Sequence, residues 1–196
     1  MIKEKSIGEA WQKCIQVIKE QGETVMDGDQ RLKEVLQLVV EIEEPKQKDA
    51  IVEKLGSKEM IKWMMSNFFE QKKVPELKNS DSYGIRLFNY NSKNQVAWVI
   101  SKLKKNKDAK SATIPMLMPN SDEGYIPCVS TLDFKVRDGK LMLTAFCRSL
   151  DLGKKAYANM LALNAVQNVV AEEVGVPTGH IFLNIVSAHI YEEDIK

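Results

Sequence analysis

A chain of 196 residues is long enough for one domain with a sizeable core. Its 28 basic and 27 acidic residues leave a formal net charge of +1, which argues against a general electrostatic footprint for nucleic acid. No stretch approaches the roughly 18 consecutive apolar residues that span a membrane, and Met1–Lys5 is charged where a secretory signal needs an apolar core. The three cysteines, Cys14, Cys128 and Cys147, are far apart and form neither a C-x-x-C pair nor a His/Cys cluster of metal spacing. A cytoplasmic protein with free thiols and no metal site is the simplest account.

Ile7, Trp11, Ile15 and Ile18 recur at helical spacing and predict an amphipathic helix that ends at Gly22. Val25–Gln30 reads as a polar loop, and Val35–Ile42, rich in β-branched residues, as a strand ended by Pro45. Ser57 is placed to cap a helix running to Phe69, with Met60, Ile61, Met64 and Phe68 on its buried stripe. Asn79–Tyr90 reads as irregular and polar, and holds the cluster Tyr83-Gly84-Ile85-Arg86. Asn94–Lys105 is a helix with Val96, Val99, Ile100 and Leu103 on one face, and its lysines read as a solvated end. Ser111–Met118 is a strand running into the loop Pro119–Pro127. Ser130–Val136 and Lys140–Phe146 are strands joined through Asp138-Gly139, a pair suited to a hairpin turn with two positive φ angles. Ala156–Val174 is an apolar helix closed by Gly175, and Ile181–Tyr191 a last strand. The pattern is α+β in a single domain without regular βαβ units.

Cys128 follows Pro127 in the loop before a strand. A lone cysteine is usually an inert buried hydrophobe, and a nucleophilic one needs a cationic neighbour that favours the thiolate. Arg148 is the candidate, at the end of the strand that hairpins back on the Cys128 segment. Arg148-Ser149-Leu150-Asp151 places a cation, a hydroxyl and a carboxylate within four residues after a strand. A guanidinium fork and a hydroxyl suit a phosphate, although a plain surface strand end would look the same. Asn159, near the start of an apolar helix, offers paired donor and acceptor groups to a base edge, or simply a cap. His189 and Tyr191, two apart on a strand, share one face and suggest a small ligand or a structural network.

Together these residues follow the order and spacing of a known family. Pro127-Cys128, the Asp-Gly hairpin, Arg148-Ser149-x-Asp151, Asn159 and His189-x-Tyr191 resemble thymidylate synthase, whose superfamily also includes the cytidylate and deoxycytidylate hydroxymethylases. The match is strongest from about Tyr83 to Tyr191, so residues 81–196 read as the nucleotide-binding and catalytic part and 1–80 as a divergent N-terminal part. Tyr83-Gly84 resembles the family's Tyr-Gly segment, and Lys107–Ser111 its arginine-bearing loop. The form of these motifs is most similar to the short archaeal-type members.

The resemblance implies a mixed, largely antiparallel sheet with helices on one face and dimerisation through the sheet. It implies that Cys128 adds to C6 of a pyrimidine nucleotide, so that C5 accepts a one-carbon unit from 5,10-methylenetetrahydrofolate. Arg148 and Ser149 resemble the phosphate-binding pair, and Asp151 the carboxylate that organises the base pocket. Asn159 is similar to the amide that reads uracil, and His189 and Tyr191 to the pair on the sugar 3′-hydroxyl. Lys110 stands where an arginine reaches the partner subunit's phosphate in a homodimer. Glu59 loosely resembles a catalytic glutamate at a helix start. The chain departs from the pattern at Ser111 (arginine), Val129 (histidine), Cys147 (glutamine) and Lys155 (glycine), and it ends at Lys196 before the tail that closes over folate. The expected activity is methylation of dUMP. The alternatives are CMP or dCMP 5-hydroxymethylation, and a non-catalytic nucleotide-binding homologue lacking the closing tail.

Overall fold

The computed structural model describes residues 1–119, 121–122 and 124–195, so the predicted loop 119–127 lies partly outside them. In chain order its elements are β1 (Ile2–Glu4), α1 (Ile7–Gln21), β2 (Glu23–Asp27), β3 (Gln30–Ile42), α2 (Ala50–Leu55) and α3 (Lys58–Phe69). There follow β4 (Lys73–Val74), β5 (Ser80–Asp81), α4 (Tyr83–Phe88), α5 (Gln95–Lys105) and β6 (Thr113–Pro115). The chain closes with β7 (Val129–Arg137), β8 (Lys140–Asp151), α6 (Ala156–Val174) and β9 (Thr178–Tyr191).

One mixed seven-stranded sheet organises the molecule, in the order β1-β3-β9-β8-β7-β6, with β2 also paired to β3. The β1–β3 and β8–β9 pairs are parallel and the others antiparallel. This is the expected α+β architecture. Along β9, Ile181, Leu183 and Ile185 are buried while Phe182, Asn184 and Val186 are half-covered, so the helices lie on one face. Helix α6 carries apolar residues all round because α1, α3 and α5 pack against it and the sheet lies beneath. Its buried Gln167 is satisfied by the carbonyls of Leu141, Gly179 and His180 at 2.8–3.2 Å.

Local chemistry accounts for several boundaries. Ser6 and Glu9 form a capping box at the start of α1, and Ser57 caps α3. Asp138 and Gly139 both take positive φ (51° and 72°) in the β7–β8 turn, as the Asp-Gly pair predicts. Gly84 has a different reason: a Cβ there would stand 2.3 Å from the Glu70 carbonyl oxygen, so only glycine lets α4 approach the end of α3.

Four expectations need correction. Val25–Gln30 is not a loop; Glu23–Asp27 forms β2, and β3 begins at Gln30, well before Val35. Asn79–Tyr90 is not wholly irregular, since Ser82 caps the short helix α4. The strand expected over Ser111–Met118 is confined to Thr113–Pro115. Strand β8 does not stop at Phe146 but runs through Arg148, Ser149 and Leu150 to Asp151, held by β9 on its other side.

Candidate active site

A cavity of about 600 Å³ opens at one end of the helix-covered face of the sheet, within the range usual for small-molecule sites. Its walls include Cys128, Arg148, Ser149, Asp151, Asn159, His189, Tyr191 and Tyr83. Eight of the residues singled out in the sequence therefore meet in one place. Glu59 and Lys110 do not.

Cys128 is half-buried immediately before β7, where a bulge between Val129 and Thr131 reshapes the start of the strand. The other two cysteines are fully buried, and burial pushes both thiols up to about 12, so neither is suited to ionise. The thiol of Cys128 instead has polar company. Ser149 Oγ donates to Sγ at 3.5 Å, and the Tyr125 hydroxyl lies 3.9 Å from it. Arg148 acts on the backbone beside the thiol: its Nε donates to the Pro127 carbonyl at 3.2 Å and Nη2 to the Ile126 carbonyl at 2.6 Å. The contact foreseen between Arg148 and the sulfur is thus made by Ser149, while Arg148 clamps the loop that carries Cys128.

Tyr83 enters from the start of α4. Its hydroxyl accepts from Val129 N–H at 2.9 Å and stays protonated, because burial raises it well above the ordinary phenol range. Asn67, on α3, supports it by accepting the Tyr83 N–H at 3.2 Å. Asp151 accepts from the amides of Gly153 and Lys154 at 3.1 and 3.0 Å, which shapes the turn into α6. Asn159, in the first turn of α6, donates through Nδ2 to the Lys155 carbonyl at 3.1 Å. A carbonyl only accepts, so this bond sets which end of the amide is the donor and leaves Oδ1 and one N–H for a ligand.

His189 and Tyr191 stand beside each other, ring centroids 5.3 Å apart and edge-on. Strand β9 also brings Ser187, and the β2–β3 hairpin brings Asp27 and Glu34, none of which stood out in the sequence. Ser187 was legible in principle, being two residues before His189 on the same strand face. Asp27 and Glu34 were not, because only the hairpin's position delivers them. Tyr125, Trp63 and Asn67 were missed likewise.

Glu59 lies in the first turn of α3, exposed, where its own backbone N–H and the Ser57 hydroxyl hold its carboxyl below the usual range. The face of α3 turned to the cavity carries Trp63, Met64 and Asn67 instead. Lys110 is exposed in the turn between α5 and β6. No helix among the described residues is long and apolar enough to cross a membrane.

The family model of thymidylate synthase matches residues 12–196. Among curated proteins, the one named "Putative thymidylate synthase" from Methanosarcina mazei is 32% identical over 199 residues, covering 99% of this chain and 90% of that protein. Its namesake from Methanothermobacter marburgensis is 33% identical over 207 residues (97% and 92%), and that from Methanopyrus kandleri 29% over 199 residues (100% and 94%). With a thiol, an amide and a His-x-Tyr strand in one cavity and a family match over nearly its whole length, the chain belongs to the thymidylate synthase family.

Proposed function

We propose that the chain is a pyrimidine-nucleotide C5 one-carbon transferase that methylates dUMP. The observation that carries this reading is the placement of the Cys128 thiol, hydrogen-bonded by Ser149, in the same cavity as Asn159, His189 and Tyr191. In this reading the Cys128 thiolate forms a bond to C6, and the electrons of the C5–C6 double bond move toward O4, leaving C5 nucleophilic. Arg148 takes the phosphate, and Ser149 Oγ bridges its guanidinium to the thiol. Three of the five guanidinium N–H donors are spent on Ile126, Pro127 and Ser149, which leaves two for a ligand. Asp151 and Tyr83 line the base end, and His189 with Tyr191 holds the sugar hydroxyl.

The one-carbon unit is supplied, when bound, by 5,10-methylenetetrahydrofolate, the cosubstrate general to the family. The residues present suit such a ligand. Trp63 borders both the main cavity and an adjoining depression of about 480 Å³ walled by Trp11, Met60 and Tyr157, an aromatic surface fit for a flat bicyclic ring. A homodimer through the open sheet face completes the proposal. Phe146, opposite Asn184, is 44% exposed on that face, and Lys110 is the cation assigned to the partner's phosphate site.

The base is read by Asn159, whose amide complements the O4 acceptor and N3–H donor of uracil. An aspartate would instead accept from the cytosine amino group. Wild-type protein is expected to bind dUMP at least about 100-fold more tightly than dCMP, and Asn159→Asp to reverse that order. Equilibrium titration of both nucleotides against both proteins checks this. Preference of the wild type for dCMP overturns the uracil assignment in favour of cytidylate or deoxycytidylate hydroxymethylation.

A further inference from the structure

The cavity has two chemically opposite ends. At one end strand β8 supplies donors from the Arg148 guanidinium, beside the Ser149 hydroxyl, whose proton goes to Cys128. Strands β9, β3 and β2 supply acceptors. Ser187 gives its hydroxyl proton to Glu34 in a short hydrogen bond. His189 Nδ1 lies 3.3 Å from the Ser187 carbonyl and 3.3 Å from Ser187 Oγ. The carbonyl can only accept, and the hydroxyl has already spent its proton on Glu34. Nδ1 therefore carries the ring hydrogen, and in the neutral ring Nε2 is a bare acceptor. Tyr191 likewise donates its hydroxyl hydrogen to Asp27 Oδ2 at 2.9 Å, leaving lone pairs on Oη. Burial and the adjoining Asp27 carboxylate push the Tyr191 phenol up to about 12, so it keeps that hydrogen.

What binds at this end must donate hydrogen bonds and must not be an anion. A free sugar hydroxyl meets both conditions, and a phosphate ester meets neither. Resting on the pyrimidine-nucleotide reading above, we propose that Asp27, on the β2–β3 hairpin, is a specificity-determining residue that makes the site require a free 3′-hydroxyl. Its carboxylate sits against the phenol that faces the sugar, and Glu34 stands behind the His189–Ser187 pair with the same sign of charge. A 3′-phosphate would meet these carboxylates with no cation on β9, β3 or β2 at the cavity wall. Asp27 then sets the discrimination against a 3′-phosphate ester, whether in a 3′,5′-bisphosphate or within a polynucleotide.

The experiment compares binding of dUMP and 2′-deoxyuridine 3′,5′-bisphosphate to the full chain, wild type and Asp27→Asn, by isothermal titration. Asparagine keeps the size of aspartate and an oxygen for the Tyr191 hydroxyl, and the exposed position makes a folding defect easy to exclude by thermal melting. Wild type is expected to bind the bisphosphate at least about 100-fold more weakly than dUMP, and Asp27→Asn to narrow that gap at least about tenfold, chiefly through tighter bisphosphate binding. Equal binding of the two ligands by wild type overturns the proposal, as does a gap that Asp27→Asn leaves unchanged. In either case dUMP binding would still stand. Failure of dUMP itself to bind removes this proposal and the nucleotide reading together.

Discussion

Replacement of Cys128 by serine is expected to lower turnover of dUMP by at least about 10³-fold while changing nucleotide affinity by less than about tenfold. Serine preserves the shape of the side chain and its contact with the Ser149 hydroxyl. It does not preserve the nucleophile, since an alcohol is far less acidic than a thiol and this cavity offers it no histidine base at hydrogen-bonding distance. In the proposed reading affinity is carried elsewhere, by Arg148, Asn159, His189 and Tyr191. Single-turnover kinetics with titration of dUMP separates the two effects. Unchanged turnover would remove covalent attack by Cys128, and loss of both activities would make the residue structural.

The largest expected effect on stability is at Arg86, which is 1% exposed beside an Asp122 carboxylate that is 6% exposed. The pair is bidentate, at 2.9 and 2.6 Å, and Nη1 also donates to the Met116 carbonyl at 2.7 Å. Asp122 in turn accepts from Met118 N–H at 2.7 Å. Arg86→Met leaves a buried carboxylate without its counter-ion and is expected to cost about 3–5 kcal/mol in urea unfolding. The double variant Arg86→Met with Asp122→Leu should recover much of that loss, because an apolar pair removes the uncompensated charge. A cost below about 1 kcal/mol for the single variant contradicts this account. The same contacts hold Met116 and Asp122, which precede Tyr125 and Cys128 in the chain. Variants that fold should for that reason lose turnover beyond what their stability explains.

How much of this was legible in the sequence follows from how each feature is encoded. Helices α1, α5 and α6 declare themselves by spacing and caps, and the β7–β8 hairpin by Asp138-Gly139, because those signals are local. Strand β2 (ETVMD) carries no apolar alternation, since it is an edge strand with little buried side-chain surface, and it resembles a loop until β3 is seen beside it. Helix α4 is six residues long, too short for periodicity to reveal. The continuation of β8 to Asp151 was hidden because Arg148 and Ser149 break the apolar run while the β9 ladder holds them in place.

The same division holds at the site. Cys128, Arg148, Asp151, Asn159, His189 and Tyr191 were found through spacing and resemblance. Asp27, Glu34 and Tyr125 depend on non-local placement: Glu34 stands opposite His189 in the β3–β9 register, and Asp27 reaches Tyr191 across the hairpin. Glu59 stands outside the main cavity, because the stripe that α3 buries (Met64, Asn67 and Phe68) turns other side chains inward; it borders the adjoining depression beside Met60 and Trp63.

Activation of C5 of a uracil nucleotide by Cys128 is the step on which the proposed function depends. Release of tritium from [5-³H]dUMP by the wild-type protein with methylenetetrahydrofolate tests it most directly, because the C5 hydrogen leaves only after C6 has been attacked. Release from dUMP is expected, with much slower release from labelled dCMP and none above background from Cys128→Ser. Release from dCMP alone, or from neither nucleotide, would contradict it.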